Sequence, residues 1–200
     1  MPLPHNHELI QIVDAAMAEA LRKGGSWVAC RAGCCECCMG VFPIGQADVV
    51  RLREGMRSLS QSDPARAARV SERAAAAVEL YGADFPGDPA TGLLGTDPAS
   101  EERFESFRDD EPCPALDPAT GTCDLYQWRP MTCRTFGPAI RLNHDSVDVC
   151  ELCYQGAGDE QILECEVELE TAALESALED EAAASTGQTG QTLVAFALRW

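Results

Sequence analysis

Five cysteines stand within nine residues, in the stretch CRAGCCECC over 30–38, and no other feature restricts this 200-residue chain as strongly. Cys34 and Cys35 are adjacent, as are Cys37 and Cys38. Neighbouring cysteines cannot readily bridge each other, because a disulfide requires a specific relation between the two Cα–Cβ vectors. Six more follow at Cys113, Cys123, Cys133, Cys150, Cys153 and Cys165, for an odd total of eleven. The opening residues, MPLPHNHELIQIVD, have neither the basic start nor the long apolar run of a secretory leader. We therefore expect a reducing, cytoplasmic setting. In such a setting a cysteine cluster reads as metal-binding or catalytic, not as a disulfide framework.

Charge narrows the partners. The net charge is −18, from 33 acidic and 15 basic residues. A nucleic-acid duplex or an anionic membrane surface would repel such a chain, so neither is expected as a partner. The run LVAFAL over 193–198 is far too short to span a bilayer. No feature identifies a protein partner.

The coarse pattern is helical. Ile10, Val13, Met17 and Leu21 recur at helical spacing and predict a first helix over about 8–23, with Asn6 as its cap and Gly24-Gly25 as its stop. Val49, Leu52, Met56 and Leu59 predict a second over about 46–59. Asp63-Pro64 is a cap followed by proline and opens a third, alanine-rich helix to about residue 81. Residues 82–100 are rich in Gly, Pro, Asp and Thr and read as loop. Asp117-Pro118 and Gly121 place a turn between Cys113 and Cys123, and Arg129-Pro130 opens a short helix that carries Cys133. Segments 139–142 and 147–150 pair as a hairpin across 143–146. Leu163, Val167, Leu174 and Leu178 predict one acidic helix over about 159–184, with Cys165 on its packed face and a flexible segment after it. The expected fold is mainly α: a small helical domain with a cysteine-rich metal-binding core, and with short β pieces confined to the neighbourhood of 113–153. Its divisions are a cysteine-cluster domain over 1–157, the acidic helix over 158–185 and a flexible tail over 186–200.

The cysteines carry the chemistry. Cys34 with Cys37, and Cys35 with Cys38, are C-x2-C pairs, and CELC supplies Cys150 with Cys153. A C-x2-C loop lets two thiolates converge on one ion while backbone N–H groups bond the sulfurs. Cys30, placed before Gly33, folds back as a further ligand. Four thiolates saturate a tetrahedral zinc or an iron–sulfur cube. Ten candidate thiols therefore exceed one such site, and serve two sites or one site plus thiols with other roles. Cys133, near a helix start and flanked by Arg129 and Arg134, is expected to have its thiolate stabilised. His144 lies in a turn and reads as a solvated histidine, although its position near Cys150 makes it a candidate ligand; His5 and His7 read as surface residues. Trp27, Trp128 and Phe136 either screen the metal or pack in the core.

C-x3-C-x2-C-C at Cys30, Cys34, Cys37 and Cys38, followed by CPALD, the GTCDLY turn and RPMTCRTFG, resembles the bacterial YkgJ-type cysteine-cluster family with its CxxCxxCC signature. The resemblance spans about 26–153 and implies a zinc- or iron-chelating domain whose members are often labelled iron–sulfur proteins. It implies Cys30, Cys34, Cys37, Cys38, Cys113, Cys123 and Cys133 as metal ligands, with Cys150 or Cys153 as an eighth. Cys35 stands where the signature accepts any residue, and the insertion between the two halves is long. A similar cysteine module accompanies methyl transfer in flagellin lysine N-methylases.

Three functions compete. The first is a metal-binding protein holding zinc or an iron–sulfur cluster, with iron–sulfur preferred because thiols are many and no histidine is convincingly among them. The second is an iron–sulfur-dependent redox or methyl-transfer-associated enzyme. The third is a metal-free thiol redox sensor. The chain lacks a Walker loop, a G-x-G-x-x-G, an H-E-x-x-H and a nucleophile elbow. If the metal reading holds, the two cysteine regions must meet in space across the roughly 75 residues between Cys38 and Cys113.

Overall fold

The computed structural model describes residues 3–199 and is mainly helical. Helix α1 (Asn6–Gly24) buries Leu9, Val13, Met17 and Ala20, while Leu21 is 41% exposed. The buried stripe thus runs about one residue off the expected one. Small residues explain the offset: at Gly24 a Cβ would meet the Val28 side chain and the Tyr154 hydroxyl, so the helix leans in on its Ala20–Gly24 side. Gly25, at φ +50°, then ends it. Asn6 does not cap; its Oδ1 accepts from Nε of the buried Arg51 at 2.8 Å.

Helices α2 (Gln46–Ser62) and α3 (Pro64–Tyr81) form an antiparallel pair. The Asp63 side chain accepts from Arg66 N at 3.0 Å and caps α3 as expected. The Glu179 carboxylate accepts from Gln46 N and Ala47 N, placing a negative charge at the start of α2. Val49, Leu52, Met56 and Leu59 pack on Val70 and Ala74, and the layer is closed by Val194, Ala197 and Leu198.

Between α3 and the second cysteine region lie strands β1 (Gly87–Asp88) and β2 (Leu93–Leu94) and helix α4 (Pro98–Phe104). This stretch was expected to be loop. Phe85, Phe107 and Phe196 gather around Tyr81 and tie it down. Strands β3 (Leu116–Asp117) and β4 (Thr122–Cys123) make the expected hairpin, and helix α5 (Met131–Thr135) carries Cys133. Strands β5 (Ile140–Leu142) and β6 (Asp145–Ser146) pair across a tighter turn than expected, with Asn143 and His144 both at positive φ.

The acidic helix expected over 159–184 is not continuous. It comprises α6 (Asp159–Cys165), strand β7 (Val167–Leu169) and α7 (Ala172–Thr186). β7 pairs in parallel with β5, Ile140 opposite Val167, so Val167 and Leu169 serve a sheet and Leu163 is left 55% exposed. Strands therefore extend beyond the 113–153 neighbourhood on both sides. The segment expected to be flexible is also packed: Thr192 bridges Ile44, and helix α8 (Val194–Leu198) is buried against α2 and α3. Its apolar residues outweigh the Ser/Thr/Gly/Gln run before it. No helix among the described residues is long and apolar enough to cross a membrane.

One buried ion pair bears directly on the cysteines. The Asp124 carboxylate, 1% exposed, accepts from Arg66 and Arg73 of α3, and Arg73 Nε also donates to the Pro114 carbonyl. Asp124→Ala is expected to loosen the β3–β4 hairpin and cost about 2 kcal/mol, since the half-exposed arginines regain water. Urea denaturation measures this; a loss under about 0.5 kcal/mol, the level of a neutral surface change, would show that α3 does not hold the hairpin.

Candidate metal centre

The cysteine loop is two consecutive turns. Cys34 N donates to Arg31 O at 3.0 Å, and Cys38 N to Cys35 O at 2.8 Å. The loop is then zipped to the second region by backbone bonds: Cys113 N donates to Cys38 O at 2.7 Å, and Gly40 N to Glu111 O at 3.0 Å. The two regions meet, as the metal reading requires. In the CELC turn Cys153 N donates to Cys150 O at 2.8 Å. That turn is anchored by Tyr154 N on Trp27 O and by Cys150 N on Gly137 O, at 2.7 and 3.1 Å.

One backbone amide is bonded to a cysteine sulfur. Ala29 N donates to Cys153 Sγ at 3.4 Å. The amides of Ala115 and Leu116 near Cys113, of Leu125 near Cys123 and of Leu152 near Cys150 favour the thiolate form. Burial opposes them. It pushes the Cys113 thiol up to about 12 and raises Cys123 and Cys150.

Cys133 departs from expectation. Burial holds its thiol well above the usual range, and the nearby Cys113, Cys37 and Cys123 raise it further. The flanking arginines are engaged elsewhere: Arg134 binds Asp14 at 2.9 Å, and Arg129 lies 4.0 Å over the Tyr126 ring. The neighbouring Cys38 thiol holds Cys37 below the usual thiol range, with the Cys37 amide and Arg129 assisting; Cys37 in turn, together with burial, raises Cys38.

Cys30, Cys34, Cys37, Cys38, Cys113, Cys123 and Cys133 line one cavity of about 550 Å³. Its other walls include Met17, Leu21, Leu52, Phe136 and Val194, and are chiefly apolar. Cys150 and Cys153 lie buried behind it with Ala139 and Tyr154. Cys35 is partly buried and lines no part of it. Among the described residues no three Cys, His, Asp or Glu side chains already stand close enough to hold an ion. Closing a shell therefore needs cysteine side chains to turn between their staggered χ1 positions. The donor set fits a thiophilic metal: all eleven cysteines are free, and Ala29 N already donates to Cys153 Sγ.

The histidines stand apart. His5 pairs with Glu181, and His144 with Glu170 at 3.1 Å with its side chain 83% exposed. His7 is exposed. Trp128 packs over Gly55 in the core, Phe136 borders both the cavity and the Cys150 cluster, and Trp27 is 40% exposed.

Two contributors escaped the sequence reading. Gly137, at φ +123°, brings backbone so near Cys30 that a Cβ there would lie 2.8 Å from its Sγ. The Gly137-Pro138 dipeptide was a visible turn signal. Tyr154, 3% exposed, accepts from Ala139 N at 3.2 Å through its hydroxyl and carried no signal.

Cys165 is partly buried, and its thiol donates to Lys23 O at 3.5 Å. Cys165→Ser is expected to keep all bound metal and to cost about 1 kcal/mol or less, because the serine hydroxyl can reach the same carbonyl. Metal content of the purified variant checks it, and a loss of metal would place Cys165 among the ligands.

Searches among curated proteins and among solved structures find no match. A family model does match, over residues 29–154 and so over well more than half of the chain, including ten of the eleven cysteines. Its description is "CxxCxxCC: Putative zinc- or iron-chelating domain", and the chain belongs to that family.

Proposed function

We propose that this chain is a cytoplasmic metal-binding protein whose clustered thiolates hold an iron–sulfur cluster or zinc, with iron–sulfur preferred. The ligands are drawn from Cys30, Cys34, Cys37, Cys38, Cys113, Cys123, Cys133, Cys150 and Cys153. The observation that carries this is the gathering of seven cysteines around one largely apolar cavity, with Ala29 N donating to Cys153 Sγ beside it. Burial and crowding favour the protonated form of Cys113, Cys123, Cys133 and Cys150. A cation replaces the protons and relieves the repulsion, and the amides then bond the thiolates. The free state of the cysteines suits a reducing compartment. The preference for iron–sulfur follows from an all-sulfur donor set, with every histidine placed elsewhere.

Anaerobic purification followed by metal and acid-labile sulfide counting tests the proposal. Iron with matching sulfide and a brown colour supports iron–sulfur; zinc without colour supports the zinc form. A protein with neither, and with thiols that cycle oxidatively, would be the sensor instead. A second reading, an iron–sulfur-dependent redox or methyl-transfer-associated enzyme, draws on the apolar cavity beside the thiols. Apolar walls with a few polar groups are the usual make-up of a small-molecule site.

A further inference from the structure

Ten clustered thiols are too many for one tetrahedral ion or one cube, and their placement divides them. Cys150 and Cys153 are buried in an apolar cluster with Ala139 and Tyr154, bordered by Val28, Ala29 and Phe136. Cys113 and Cys123 pack against a different cluster, that of Leu52, Leu125 and the α2–α3 pair. The cysteine loop serves both. Its first turn, closed by Cys34 N on Arg31 O, follows Ala29, whose amide bonds Cys153. Gly137 links Cys30 to Cys150: its missing Cβ leaves room for Cys30 Sγ, and its carbonyl accepts from Cys150 N. The loop's second turn, closed by Cys38 N on Cys35 O, is bonded through Cys38 O to Cys113 N.

From this arrangement, and resting on the proposed metal function, we infer that the chain builds two separate metal centres. Cys30, Cys34, Cys150 and Cys153 make one. The other takes four thiolates from Cys37, Cys38, Cys113, Cys123 and Cys133. Four thiolates complete a tetrahedral zinc or an iron–sulfur cube, so each group suffices for one centre. Cys30 and Cys34 also reach the cavity shared with the second group, so the two centres are neighbours.

The test is an anaerobic titration of the reduced, metal-free full chain with Co(II), read by the thiolate-to-cobalt charge-transfer band. The expected end point is about two equivalents per chain, each site being four-coordinate. The double variants Cys150→Ser/Cys153→Ser and Cys113→Ser/Cys123→Ser are each expected to bind about half as much, with the remaining band that of four-sulfur coordination. A wild-type end point at one equivalent overturns the two-centre inference while leaving metal binding intact. So does a loss of the whole band in both variants when circular dichroism shows their helices retained. If a variant does not fold, the wild-type end point decides alone. No charge-transfer band at any cobalt level would overturn both the inference and the function beneath it.

Discussion

Removing the metal is expected to abolish the cooperative melting of the cysteine core while the α2–α3–α8 layer keeps much of its helix. Structural zinc contributes roughly 10–16 kcal/mol of apparent binding free energy in small peptides. A whole domain is stable by only about 5–15 kcal/mol. The loss is therefore comparable with everything that holds the fold. It falls unevenly. Residues 28–40 and 111–154 contain only short turns, strands of two or three residues and one five-residue helix. The α2–α3–α8 layer has its own aliphatic core of Val49, Leu52, Met56, Val70 and Leu198. Calorimetry and circular dichroism before and after anaerobic chelation provide the check. A melting transition unmoved by chelation would mean that the thiols carry no structural metal.

Gly137→Ala is expected to be strongly damaging for a single added methyl. At φ +123° an L side chain is strained, at a cost of about 1–3 kcal/mol. The new Cβ would also stand 2.8 Å from Cys30 Sγ, a contact that must open. Overpacking of this kind costs about another 1–3 kcal/mol. We expect a total near 3–4 kcal/mol, together with reduced metal content, because Gly137 O also holds Cys150 N. Gly187→Ala is the control. It has positive φ, at +71°, but nothing within 4 Å of the added methyl, so it reports backbone strain alone. Denaturant unfolding of the two variants separates the contributions; equal losses would show that the approach to Cys30 does not matter.

What the sequence made legible follows from which forces are local. Helices α1, α2 and α3 have apolar residues at steps of three and four and explicit stops, and each lies within a few residues of its expected span. The Asp117–Gly121 turn and the Asp63 cap are chemistry between near neighbours. The break within 159–184 was invisible because Val167 fits a helical stripe with Leu163, Leu174 and Leu178 as well as a two-residue alternation with Leu169. Pairing with Ile140 and Leu142, distant in sequence, decided for the strand. Burial of 193–198 likewise depends on α2 and α3 offering an apolar groove. Among the cysteines, spacing marked the cluster. It did not show which thiols become neighbours, because adjacent residues diverge by backbone angles that the loop sets only when Cys38 meets Cys113 and Ala29 meets Cys153. The flanking arginines of Cys133 misled because burial of its thiol, which depends on distant parts of the chain, outweighs them.

The bond from Cys113 N to Cys38 O has a consequence for biosynthesis. Translation proceeds at about 5–20 residues per second, so the roughly 75 residues between the two take several seconds to emerge. During that interval the thiols of 30–38 are exposed without their partners. Copper outranks zinc and iron for soft ligands whenever geometry does not discriminate, and an unfinished loop has little geometry. Wrong-metal capture is therefore a hazard of the growing chain more than of the folded one. Copper stress applied during expression would leave its mark in the metal bound, whereas the same stress applied after folding would not.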